Sequence, residues 1–131
     1  MHIEFTVIGN PITKKNSQRM VSVYSNKTGK NRMIPIPSSQ YESYMRDFMW
    51  QVPYTAKKQI TDLVNLKCVY YMGVRRKVDL VNLLEATQDI LVASGVIQDD
   101  NCFIVHSTDG SRVCFDKENP RVEITIDTID D

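Results

Sequence analysis

The sequence predicts a single domain of the α/β (α+β) class, on three observations. Its 131 residues suit one ordinary domain, enough for a real core but too few for two. Apolar residues make up 42% and charged residues 24%, a globular balance that argues against disorder and against a membrane class. Segments that alternate apolar and polar residues near both ends of the chain bracket two segments of helical period.

Residues 3 to 8 alternate as a first strand, ended by the turn cluster Gly9, Asn10, Pro11. A polar, basic loop follows with Lys14, Lys15, Asn16, Ser17, Gln18 and Arg19, and a hairpin is expected from Met20 to Pro35 around Asn26 to Asn31. Ser39 and Glu42 have capping-box spacing, which places a helix over 39 to 51 with Tyr41, Met45, Phe48 and Met49 at core spacing and Pro53 closing it. A short helix near 55 to 61 and a buried strand from Val64 to Met72 come next.

From Asp79 to Ser94, the residues Leu80, Leu83, Leu84, Thr87, Ile90 and Leu91 fall within a wedge of about 120°, the buried stripe of an amphipathic helix that Gly95 ends. Asp79, Asn82, Glu85 and Asp89 share a second arc, so the acidic groups are collected. Val96 and Ile97 before Asp99 and Asp100, and Phe103, Ile104 and Val105 after, predict a tight connection into a central strand. That connection would hold the two carboxylates at the sheet edge near Asp79. Thr108, Asp109, Gly110, Ser111 reads as a hairpin with a primed turn leading to Val113 to Phe115, and residues 121 to 129 alternate as a last strand.

Zero net charge hides a division. Residues 1 to 77 hold 13 of the 16 Lys and Arg but only 4 of the 16 Asp and Glu, leaving +9 there and −9 in the remainder. The join is the run Arg75, Arg76, Lys77, Val78, Asp79, where three cations abut a carboxylate at the mouth of a helix. Cations of that density suit a polyanion such as DNA, and the carboxylate beside them suits a divalent metal. The plain alternative for Asp79 is an N-cap, worth about 1 kcal/mol to the helix. For Asp99 and Asp100 the plain alternative is the start of a turn.

Cys68, Cys102 and Cys114 are odd in number and lack zinc spacing, and His2 and His106 have no Cys or His partner three to five residues away. Any metal is therefore held by oxygen, which favours Mg²⁺ or Mn²⁺. A nucleophile pair of Cys102 and His106 is outweighed by His106 as an ordinary packed strand residue. Tyr70, Tyr71 and Phe103 are expected in the core. No apolar run approaches the roughly 20 residues that span a bilayer, and the N-terminus alternates like a strand, so a cytoplasmic protein without signal peptide or membrane partner is expected.

The order of a basic run, Asp-Leu-x-Asn-Leu, a helix with a further Asp, then Gly, an apolar pair and Asp-Asp resembles the RusA-type Holliday junction resolvases. The resemblance covers residues 73 to 105, with a fainter echo in the first strand and the Asn10, Pro11, Asn16 loop. It implies a homodimer with a mixed β-sheet flanked by helices, binding branched four-way DNA and nicking it with Mg²⁺ or Mn²⁺, as bacterial, phage and prophage enzymes of this kind do. By position, Asp79 and Asp100 match the essential aspartates and Asp99 stands beside the second. The usual aspartate two residues after the first falls on Val81, and a lysine usual one turn later falls on Glu85. Positions 81 and 85 share a helix face, so Glu85 is read as supplying the displaced carboxylate.

The expected catalytic and metal-holding residues are thus Asp79, Asp99, Asp100 and Glu85. Lys14, Lys15, Arg19, Arg75, Arg76 and Lys77 are read as DNA contacts, with Asn82 as a polar neighbour. Asp89 is excluded as a ligand because ten residues of helix set it about 15 Å from Asp79. Two other classes fit the same residues: a non-catalytic DNA-binding recombination or packaging protein, and a metal-dependent ribonuclease.

Overall fold

The computed structural model describes residues 1–14 and 18–129. Strand β1 (His2–Ile8) buries Ile3, Phe5 and Val7 and exposes the residues between, as its alternation requires. It runs antiparallel to β7 (Arg121–Thr128), which runs antiparallel to β4 (Val64–Met72). The outer edge of β4 is shared by two short parallel strands, β5 (Val105–Ser107) at its start and β6 (Arg112–Phe115) at its end. The sheet is therefore mixed. A separate hairpin pairs β2 (Gln18–Ser25) with β3 (Lys30–Pro37).

One sheet face, carrying Leu66, Cys68, Tyr70, Val122, Ile124 and Ile126, forms the core with two helices. Helix α1 (Ser39–Gln51) contributes Tyr44 and Phe48, whose rings meet edge to face at 6.0 Å. Its N-cap is Ser38, whose Oγ accepts from Tyr41 N at 3.2 Å, one residue earlier than the capping-box spacing predicts. Helix α2 (Leu80–Ala93) buries Leu83, Leu84, Thr87, Ile90 and Leu91 of the predicted stripe, with Leu80 at its start only partly buried. The Tyr70 hydroxyl and Thr87 Oγ1 meet at 2.7 Å in the interior and tie α2 to β4. Gly95 stops the helix at φ +79°, a backbone conformation that side chains disfavour.

Several expectations fail for physical reasons. The segment expected as a short helix is one 3-10 turn, Tyr54–Ala56, after which the chain is irregular and Ile60 bridges Ile97. The hairpin at 108 to 111 does not form: β5 and β6 both run parallel to β4, so the turn there does not reverse the chain. Asn65 explains this, because its amide accepts from Asp109 N and Ser107 Oγ and donates to Asp109 O, holding an outward loop against the edge. Phe103, expected in a central strand, is 80% exposed on a turn, and the strand that follows lies at the edge. His106 is exposed rather than packed. Tyr70 is buried as expected, whereas Tyr71 is half-buried beneath the Arg121 guanidinium at 3.8 Å.

Candidate active site

The site begins where β4 ends. Gly73 N donates to Asn10 Oδ1 at 2.8 Å, pinning the first loop to the strand terminus. A Cβ on Gly73 would stand 3.3 Å from both Asn10 Oδ1 and Pro120 Cγ, so only glycine packs there without a shift. The basic run Arg75, Arg76, Lys77 leaves this anchor exposed. Arg75 lies 4.7 Å over the Phe115 ring, while among the described residues Arg76 and Lys77 form no ion pair.

Asp79 occupies the N-cap of α2, and its backbone oxygen accepts from Leu83 N at 3.1 Å. Its carboxylate makes no capping bond. Instead it accepts from Asn82 Nδ2 at 3.3 Å. The residue thus stands where a cap would, with its charge committed elsewhere, and the N-terminal helix dipole favours that charge.

Further along α2, Asp89 meets Lys14 of the first loop at 3.9 Å, with both side chains about two-fifths exposed. Partial burial raises the Asp89 pKa first of all; Lys14 lowers it, and the like charges of Asp100 and Glu85 raise it again. Burial raises the Tyr41 hydroxyl, and Asp89 and Glu85 push it further, up to about 12. Glu85, Asp89 and Asp100 therefore act on one region with Lys14 among them. Sequence reasoning set Asp89 aside, although its i, i+4 spacing from Glu85 was the signal for it. Val81, one turn before Glu85, is 74% exposed.

Asp99 has another task. Its oxygens accept from Asp100 N at 2.8 Å and Asn101 Nδ2 at 2.9 Å, and Asn101 Oδ1 accepts from Phe103 N. The Asn101 amide and then the Asp100 peptide hold the Asp99 carboxyl below its usual range. This is the turn chemistry of an Asx loop, which shapes the segment carrying Asp100. Lys15 lies outside the described residues, and Arg19 sits in β2 opposite Ile36. Cys102 is exposed and Cys68 is buried, its thiol pushed up to about 12 by burial.

Asp79, Asp99, Asp100 and Glu85 offer the hard oxygen donors that Mg²⁺ takes. Among the described residues, however, no three His, Cys, Asp or Glu side chains stand close enough to enclose an ion by themselves. Mg²⁺ commonly uses one or two carboxylates and completes its shell with water and substrate phosphates. The donor chemistry fits an ion of that kind, and does not fit an all-protein cage.

A family model described as Endodeoxyribonuclease RusA matches residues 9–127. The chain belongs to the RusA family. That match starts in the first loop and runs into β7, so it includes the hairpin and α1, where the sequence resemblance was silent. The RusA family comprises endodeoxyribonucleases that act on Holliday junctions, and the mixed sheet with two helices accords with that fold. Individual curated proteins give no match to the chain. Among the described residues, no helix is long and apolar enough to cross a membrane.

Proposed function

We propose that the chain is a Mg²⁺- or Mn²⁺-dependent endodeoxyribonuclease that cuts four-way DNA junctions as a homodimer, with one site in each subunit. The observation that carries this reading is the Asp79 carboxylate, which stands at a helix N-cap without capping and follows three exposed cations. Asp79, Asp100 and Glu85 would hold the ion, and Asp99 shapes the loop that presents Asp100. When bound, the ion neutralises phosphate charge and helps activate water for hydrolysis. Arg76, Lys77 and Lys14, with Lys15 and Arg19, would hold the phosphates flanking the cut, while Asn82 orients Asp79. A two-fold dimer places two such sites in fixed relation, as paired incision across a junction requires.

Asp79→Asn tests the reading. It should bind a four-way junction like the wild type and lose Mg²⁺-dependent cleavage. Cleavage at the wild-type rate would overturn the assignment. The exposed Val81 and the missing cage favour one rival, a DNA-binding protein without catalysis. That rival gains if the wild type binds junctions and cuts none with either metal.

A further inference from the structure

Arg76, Lys77 and Val78 line two depressions at once, so the basic run forms a ridge. On one side lies a shallow, open hollow against Val113 and Phe115, into which Arg75 is drawn by its stack on Phe115. On the other side lies a deeper cleft of about 270 Å³ between the first loop, the start of α1 and the end of β4. Its apolar lining comes from Pro11, Ile12, Met72, Val74 and Val78, and its polar lining from Asn10, Thr13, Gln40, Arg76 and Lys77. Asn10 is fixed there by its bond from Gly73 N, which occupies the oxygen and leaves the amide nitrogen to donate. Gln40 adds a second exposed amide from the first turn of α1.

We propose that this cleft takes one unpaired DNA base extruded beside the cut, while Arg76 and Lys77 on the ridge hold the phosphate of the same nucleotide. The volume lies just below the range of about 300–1,000 Å³ typical of pockets for drug-sized ligands, and suits a single base. The apolar side chains of the lining can take the faces of such a ring, and the two amides can meet its hydrogen-bonding edge. The charges agree, because the rim is cationic and the nucleotide is anionic. Asp79 follows Val78 directly, so the captured base belongs to a nucleotide next to the reacting phosphate.

The cleft also gives a physical origin for preferring branched DNA. Extruding a stacked, paired base costs a few kcal/mol, and the cost falls where stacking is already interrupted, as at a branch. A linear duplex must meet that cost in full. The inference rests on the junction-nuclease reading and adds how the branch is recognised.

The test uses four-way junctions with 2-aminopurine at one branch-adjacent position at a time, bound by saturating wild-type protein without divalent ions. Fluorescence should rise about threefold or more at one position, as expected for an unstacked base, and stay flat in the matching linear duplex. Gln40→Met combined with Val74→Met fills the cleft with two flexible apolar side chains, and should abolish the rise when the junction is again saturated. A junction that binds with every probe silent, or responds equally in the filled variant, overturns the cleft and leaves the nuclease reading standing. A wild type that binds no junction overturns both.

Discussion

On the sheet face away from the helices, Arg121 stacks on Tyr71 and donates to Asp116 at 2.9 Å and to Glu123 at 3.2 Å, while His2 bridges Asp127 and Glu4. Along α2, Asp89 meets Lys14 at 3.9 Å and otherwise faces the like charges of Asp100 and Glu85. The first region resolves its charges internally: Arg121 holds the Asp116 carboxyl below its usual range, and Asp127 raises the His2 imidazole. The second leaves repulsion in place. Unresolved like charge weakens a fold, so it is tolerated where a substrate or ion brings the compensation. Charge on the sheet face is matched within the scaffold, and charge on α2 is the part that the proposed reaction would use.

Substitutions on the two sides should separate accordingly. After loss of Asp79, the largest effect is expected at Glu85→Gln, which should lower single-turnover junction cleavage about a hundredfold, with part restored by Val81→Asp in the same chain. Full activity in Glu85→Gln would end the idea that this carboxylate replaces the one missing at Val81. Next, Arg76→Ala with Lys77→Ala should weaken junction binding about tenfold or more and reduce the salt-dependence slope by about two, read from titrations at several salt concentrations. An unchanged slope would remove the ridge from the DNA contact.

Scaffold substitutions should move stability and leave cleavage alone. Tyr70→Phe strands the Thr87 hydroxyl in the interior and should cost about 1–3 kcal/mol, a fall in Tm of about 5 °C or more by calorimetry, with junction cleavage kept below the transition. The smallest effect belongs to His2. Its folded pKa is raised above 6.5, so its bonds to Asp127 and Glu4 stabilise fully below that pH and fade as pH rises through the folded value. The Tm difference between wild type and His2→Gln should therefore be present at pH 5 and absent at pH 9; a difference that persists at pH 9 contradicts the ionic origin.

How far the sequence could be read follows from which contacts are local. Helix α2, its buried stripe and its polar arc are legible because all their determinants lie within fifteen residues of one another. β1 and β7 follow from alternation in the same way, and β4 from its largely apolar run. The turn at 108 to 111 was misread because its course depends on Asn65, more than forty residues earlier. Asp89 was set aside on its distance from Asp79, and only the fold brings Lys14 and Asp100 to it. The cleft is assembled from three separate segments, none of which carries a motif for it. Asp99 and Asp100 look alike in sequence, and only the hydrogen bonds of their loop tell the shaping residue from its neighbour.

The central claim is that the Asp79 carboxylate serves the reaction and not the helix. Melting temperature and single-turnover junction cleavage of Asp79→Ala, measured side by side with wild type in Mg²⁺, test it most directly. The account predicts lost cleavage with Tm within about 2 °C of wild type, since no capping bond is removed and only the exposed charge at the helix terminus is lost. A Tm lower by about 4 °C, the value of a lost cap of about 1 kcal/mol, together with cleavage at the wild-type rate, would contradict it.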